Sequence, residues 1–91
     1  MNKLAELLEE IEDNQEVLIK FFDGECFGLS NFEMVDESIY QKSDICLADM
    51  ESIISVNKDV YKVGNKYEFS INEIIEVVDN VSGDVLFRKP K

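Results

Sequence analysis

The side chains that could do chemistry in this 91-residue chain are twenty carboxylates, nine lysines and arginines, and two cysteines. Histidine is absent, which removes the commonest general base and the commonest neutral metal ligand. The sequence also has no Gly-x-Ser-x-Gly step, no phosphate-cradling glycine loop and no dinucleotide fingerprint. We therefore predict that the chain is not an enzyme and that it uses no cofactor.

Carboxylates alone can bind hard cations, and two clusters are candidates, Asp36-Glu37 and Asp79 with Asp84. Neither has the regular Asp-x-Asp-x-Asp-Gly spacing of a calcium loop. The segment 79–84 has instead the Asn, Ser and Gly composition of a hairpin turn. Cys26 and Cys46 form no Cys-x-x-Cys pair and lie among apolar neighbours, so we predict that both are reduced core residues. No metal site is expected.

The negative charge of the chain is confined to its first half. Residues 1–51 hold fourteen acidic and three basic residues, whereas residues 52–91 hold six of each, so the first half carries the whole net charge of −11. Such a field repels the phosphates of nucleic acids and of anionic lipids, and it attracts basic protein surfaces. Solubility alone is the competing explanation for this acidity.

An amphipathic helix is predicted over about residues 2–13. Four apolar residues recur at helical spacing and form one stripe, namely Leu4, Leu7, Leu8 and Ile11. Asn2 is a suitable N-cap, and Asn14 is a suitable stop in the left-handed conformation. Acidic residues crowd the C-terminal end of this helix, where its dipole disfavours anions. Because folding does not require them there, their position favours a role in contacting a partner.

Residues from about 16 to 88 are predicted to be rich in β-strand, and residues 89–91 to be frayed. Asp23-Gly24 predicts a two-residue type I′ hairpin turn after a strand at 16–22. Residues 36–43 are expected to be a loop, and Ser70-Ile71-Asn72-Glu73 has the capping-box pattern of a short helical turn. Further strands are predicted at 25–35, at 44–50 with 52–56 as an extension or a separate strand, and at 60–63, 66–69, 74–79 and 85–88.

This pattern predicts an α+β fold with an N-terminal amphipathic helix and a five- to seven-stranded, mostly antiparallel, strongly bent sheet or small barrel. Closing the strands and laying the helix over one open end would bury the leucine stripe and remove exposed edges. The length fits one domain over residues 1–91.

Four segments of the sequence match the pattern of a known family of small β-barrels. They are Val17-Leu18-Ile19-Lys20-Phe21-Phe22-Asp23-Gly24, Gly28-Leu29 with Phe32, Ile45-Cys46-Leu47-Ala48-Asp49-Met50-Glu51, and 71–79. In these segments the chain resembles the Sm-like small β-barrels, which begin with a helix and continue with strongly bent strands. The resemblance implies a small-barrel architecture, and an SH3-like barrel fits the same pattern. It does not carry RNA binding, because the loop at 36–43 lacks the Asp and Asn arrangement with which Sm-like proteins hold RNA bases.

A non-enzymatic binding module is the first functional hypothesis. Its acidic half would dock on a basic protein surface. Where that surface normally holds nucleic acid, the chain would be an inhibitor of the DNA-mimic type, as some bacterial or phage antagonists and immunity proteins are. An apolar anchor within an acidic rim is the usual anatomy of such an interface. The predicted partner-binding residues are Glu6, Glu9, Glu10, Glu12, Asp13, Phe22, Asp23, Glu25, Phe27, Asp36 and Glu37.

Self-association as a small-barrel structural protein of the Sm-like type is the alternative hypothesis. Direct nucleic-acid binding would have to rely on Lys58, Lys62 and Lys66, and the net charge argues against it. No apolar run approaches the roughly 18–20 residues of a membrane span, and Glu6, Glu9 and Glu10 interrupt the first leucines in a way that a signal peptide would not tolerate. We therefore expect a cytoplasmic protein without a membrane or nucleic-acid partner.

Overall fold

The computed structural model describes residues 3–35 and 45–89, which form one helix and a six-stranded antiparallel sheet. The elements in chain order are α1 (Lys3–Glu10), β1 (Val17–Phe21), β2 (Cys26–Met34), β3 (Ile45–Ser55), β4 (Lys66–Ser70), a 3₁₀ turn (Ile71–Glu73), β5 (Ile74–Asp79) and β6 (Val85–Arg88). The order across the sheet is β4-β3-β2-β1-β5-β6. The predicted α+β class is confirmed, but the sheet is not closed into a barrel, and β4 and β6 are its edges.

Helix α1 packs on β2 and is shorter than predicted. Its apolar stripe is buried or partly buried against the core through Leu4, Leu7, Leu8 and Ile11. The helix ends at Glu10 rather than at Asp13, because carboxylates accumulate where the free carbonyls already concentrate negative potential. Asn14 has the predicted left-handed conformation, with φ +65°, but it lies in the turn after the helix and is not the residue at which the helix stops. The predicted N-cap, Asn2, lies outside the described residues.

The β1–β2 connection differs from the predicted type I′ turn. The N–H of Gly24 donates to the carbonyl of Phe21 at 3.0 Å, and the N–H of Phe21 donates to the carbonyl of Glu25 at 2.8 Å. Gly24 has φ +92°, but Asp23 is not in the left-handed region that a type I′ turn requires at both central residues. The loop is therefore three residues long, and Asp23 Oδ1 stabilises it by accepting from the N–H of Glu25 at 3.0 Å.

Strands β2 and β3 form a long pairing that is interrupted by three register shifts. Gly28 lies at one of these shifts, in agreement with the predicted bend or bulge. A Cβ at this position would collide with Oε2 of Glu16 and Oγ of Ser52. Since Ser52 Oγ donates to Glu16 Oε2 at 2.6 Å, the glycine allows the segment before β1 to be tied to β3 across β2.

The second half of the chain follows the prediction except at one segment. Residues 60–63 are not a strand but part of the loop 56–65 between β3 and β4. The short helical turn is present, and Ser70 Oγ accepts from the N–H of Asn72 at 3.3 Å. It stops after three residues because the β-branched residues that follow favour a strand. The last hairpin has the predicted bounds. The predicted loop 36–43 lies outside the described residues.

Aromatic side chains fill one part of the core. Phe27 is completely buried, and its ring centroid lies 4.8 Å from that of Tyr61, 5.2 Å from that of Tyr67 and 6.0 Å from that of Phe21. Phe21 also meets Phe69 edge to face at 5.4 Å. These contacts join β1, β2, β4 and the β3–β4 loop, so the side chain of Tyr61 attaches the loop to the core in addition to the backbone hydrogen bonds of Gly64 and Asn65 with Met50.

Candidate functional site

Five of the predicted partner-binding residues lie together on an exposed surface made by α1 and the turn that follows it. We call this the acidic helix surface, and it consists of Glu6, Glu9, Glu10, Glu12 and Asp13, all of them exposed. Their side chains make no ion pair and no hydrogen bond within residues 3–35 and 45–89. Because buried Leu4 and Leu8 fix the rotation of the helix, the carboxylates face solvent and are free to contact a partner.

The two ion pairs of the described residues lie at the edges of the sheet. Lys66 Nζ contacts Asp49 Oδ1 at 2.8 Å, and Arg88 Nη2 contacts Glu76 Oε2 at 2.9 Å. Hydrogen bonds from Lys66 and from Asn31 hold the pKa of Asp49 below its usual range. Neither cation is paired with a carboxylate of the acidic helix surface.

The remaining predicted partner residues separate into exposed and buried groups. Phe22 is 67% exposed and Asp23 is exposed as well, so both are available at the tip of the β1–β2 loop. Glu25 is only 3% exposed and Phe27 is completely buried, so neither can be presented to a partner in this fold. Phe27 packs against the aromatic rings of the core, whereas its neighbour Cys26 is only partly buried. Asp36 and Glu37 lie outside the described residues.

Glu25 holds the β3–β4 loop against the sheet. Its Oε1 accepts from the hydroxyl of Tyr61 at 2.8 Å, and its Oε2 accepts from the N–H of Asn57 at 3.1 Å. The side-chain amide of Asn57 donates to the carbonyl of Asp23 at 3.0 Å. Burial and the hydrogen bond with Glu25 raise the pKa of Tyr61. No local pattern marks Glu25 as buried, because its partners lie more than thirty residues away along the chain.

A pair of asparagines fixes the end of the acidic helix surface, and the sequence pattern did not indicate the second of them. Asn14 and Asn31 both have positive φ, at +65° and +54°. The N–H of Asn14 donates to Asn31 Oδ1 at 2.7 Å, and Asn31 Nδ2 donates to Asp49 Oδ2 at 2.8 Å. The turn after α1 is therefore attached to β2 and β3 through side chains, which holds Glu12 and Asp13 beside the sheet.

A shallow cavity of about 170 Å³ lies beside the β3–β4 loop and is lined by Met50, Val60, Tyr61, Lys62, Asn65, Lys66 and Tyr67. It contains two of the three lysines considered for a nucleic-acid contact. One of them, Lys66, is already paired with Asp49. The cavity is smaller than the roughly 300–1,000 Å³ of small-molecule sites, so it does not indicate a cofactor pocket of ordinary size.

The second carboxylate cluster belongs to the turn between β5 and β6. Asp79 Oδ1 accepts from the N–H of Val81 at 2.8 Å, and the N–H of Asp79 donates to the carbonyl of Asp84 at 2.9 Å. In the part of the chain that the structure describes, no three Cys, Asp or Glu side chains are grouped as a metal site requires. The single helix of that part is too short to cross a bilayer.

Both cysteines are free thiols. Cys46 is completely buried, as predicted for a core residue, whereas Cys26 is only partly buried. Burial raises the pKa of Cys46 from 9.0 to about 12 and also raises the pKa of Cys26. Neither thiol is therefore an activated nucleophile at neutral pH.

Replacing Cys46 by alanine is expected to reduce the loss of stability in alkali. In the wild-type chain the unfolded thiol ionises from about pH 9, while the folded thiol stays protonated to about pH 12. Below pH 9 the thiol is protonated in both states, so its ionisation does not lower the stability. Between pH 9 and the folded pKa, ionisation of the unfolded thiol lowers the free energy of unfolding by about 1.4 kcal/mol per pH unit. Urea unfolding of both proteins across this range measures the two slopes. Equal slopes would show that Cys46 is not shielded from solvent.

Comparisons with protein-family models, with curated proteins and with solved structures gave no match to this chain. The fold and the site define it as a small α+β protein that presents exposed carboxylates, on a short helix and the turn after it, beside an antiparallel sheet. Its function is therefore argued from that surface.

Proposed function

We propose that this chain is a non-enzymatic binding module that docks its acidic helix surface on a basic protein surface. The observation that supports this best is the group of five exposed carboxylates without an ion pair, three on a helix whose apolar side is fixed in the core and two in the turn that follows it. Carboxylates at the C-terminal end of a helix each cost about 0.3–1 kcal/mol. A partner rich in Lys and Arg would offset that cost on binding.

A protein that binds nucleic acid is the partner class that fits this surface best. Its Lys and Arg side chains normally neutralise phosphates, and the carboxylates of α1 and its turn can occupy the same positions. The chain would then compete with nucleic acid as a DNA-mimic-type inhibitor. In this proposal the bent sheet is a small-barrel-like scaffold for α1, and the module acts in the cytoplasm.

Phe22 belongs to a separate contact rather than to the centre of this surface. It follows β1, whereas the acidic turn precedes β1, and a five-residue strand spans about 17 Å. The exposed ring at the β1–β2 loop therefore lies near the other end of the sheet from Glu12 and Asp13. A partner would have to be large to cover both.

The test is a matched pair of neutralised variants, each lacking four negative charges. The first carries Glu9→Gln, Glu10→Gln, Glu12→Gln and Asp13→Asn. The control carries Asp59→Asn, Glu68→Gln, Glu73→Gln and Asp84→Asn, all of them exposed positions of the second half. The wild-type chain is immobilised, proteins from the host lysate are captured at low salt, and the dissociation constant of the captured protein is measured for all three chains.

We expect the helix variant to bind the captured protein at least tenfold more weakly and with a smaller dependence on salt, because each lost charge removes a steering and pairing interaction. The control is expected to retain most of the affinity. Labelled duplex DNA added to the captured protein should be displaced by the wild-type chain and not by the helix variant. Equal affinities for the two variants would contradict the proposal.

A further inference from the structure

We propose that the cavity beside the β3–β4 loop binds a small aromatic monocarboxylate, a ligand that consists of one ring and one carboxylate. The cavity has a volume of about 170 Å³ and is lined by residues of β3, of β4 and of the loop between them. The proposal does not depend on the acidic helix surface, because that surface lies on α1 and the turn after it.

The walls of this cavity are held in place by hydrogen bonds of the protein itself. The N–H of Met50 donates to the carbonyl of Asn65 at 3.0 Å, and the N–H of Gly64 donates to the carbonyl of Met50 at 2.8 Å. The hydroxyl of Tyr61 donates to Oε1 of Glu25 at 2.8 Å. A ligand would therefore enter a preformed site, and binding would require little ordering of the loop.

A methionine and two tyrosine rings give the cavity a surface on which one aromatic ring can pack. Met50 is only 2% exposed and belongs to the core, and the rings of Tyr61 and Tyr67 meet edge to face with their centroids 5.6 Å apart. An apolar protein cavity of about 150 Å³ holds one benzene molecule. The cavity therefore has the size for a single ring, whereas larger cofactors exceed it.

The charges beside the cavity favour an anion. Of the described residues, two lysines and no acid line it, although 20 of the 91 residues of the chain are acidic. Lys66 is neutralised by Asp49, whose Oδ1 lies 2.8 Å from its Nζ, whereas Lys62 belongs to neither ion pair of the described residues. One uncompensated positive charge at a ring-sized cavity attracts a ligand with one negative charge and repels an amine of the same shape.

Benzoate is the probe that tests the ligand class. It is titrated into the full chain at about 0.15 M salt, where exposed charges are largely screened beyond about 8 Å, and the amide proton–nitrogen correlation spectrum is recorded. We expect saturable shifts at the amides of Lys62, Asn65 and Tyr67 and a dissociation constant of about 1 mM, as for other ligands of this size. Benzylamine, which reverses the charge, and acetate, which lacks the ring, should each bind about tenfold more weakly or less.

Two lysine variants of equal net charge test whether the cavity is the site. Lys62→Gln removes the uncompensated charge and should weaken benzoate binding about threefold, as for an exposed ion pair. Lys58→Gln is the matched control and should leave the affinity unchanged, because Lys58 is exposed on the same loop and does not line the cavity. Spectra that benzoate does not change, equal binding of benzoate and benzylamine, or equal affinities of the two variants would overturn the proposal.

Discussion

Phe27→Ala is expected to lower the free energy of unfolding by about 3–5 kcal/mol, the usual cost of removing a fully buried ring. Phe27 is completely buried and contacts the rings of Phe21, Tyr61 and Tyr67. Its removal leaves a cavity at the point where β2, β4 and the β3–β4 loop meet. Since small domains are stable by about 5–15 kcal/mol, this loss is a large fraction of the total, and the variant should unfold at a markedly lower temperature than the wild-type chain.

Phe22→Ala is the matched control, since it removes the same ring from a site that is 67% exposed. We expect its effect to stay within about 0.5 kcal/mol, as for most surface substitutions. Urea unfolding followed by far-ultraviolet circular dichroism gives both values on one scale. Similar losses for Phe22 and Phe27 would contradict the assignment of one ring to the surface and the other to the core.

Features of the fold that depend on residues close together in the chain can be predicted from the sequence. The last hairpin, the turn after Ser70 and the left-handed conformation of Asn14 were predictable because each depends on neighbours within a few residues. The β1–β2 loop was not, although Asp23-Gly24 is a strong turn signal. Its length depends on which residues pair across the hairpin, and the structure pairs Phe21 with Glu25.

The candidate site was predictable in part for the same reason. Helical periodicity places Leu4 and Leu8 inside and therefore leaves Glu6, Glu9 and Glu10 outside, as the structure shows. The burial of Glu25 could not be predicted in this way, because it does not follow from the periodicity of the sequence. The same is true of the segment 60–63, where contacts of Tyr61 with residues far away in the sequence replace the predicted strand.

Glu25→Ala is expected to lower the free energy of unfolding by about 2–4 kcal/mol, although it removes one negative charge from a chain of net charge −11. Reduced repulsion alone would stabilise the fold slightly. The loss arises because the hydroxyl of partly buried Tyr61 and the N–H of exposed Asn57 both lose the carboxylate that accepts from them, and a hydrogen bond to a charged group contributes about 1.5–3 kcal/mol. Glu68→Ala, which removes an exposed acid from β4, is the control and should change stability by less than about 0.5 kcal/mol.

A double-mutant cycle separates the Glu25–Tyr61 hydrogen bond from the packing of the Tyr61 ring. Tyr61→Phe keeps the ring against Phe27 and removes only the hydroxyl, so it leaves the carboxylate with the single bond from Asn57. We expect the double variant to be more stable than the sum of the single effects by about 1 kcal/mol or more, because the second substitution has no bond left to break. Urea unfolding of the four chains at neutral pH gives this coupling energy. Additive effects would show that Glu25 does not hold the β3–β4 loop through Tyr61.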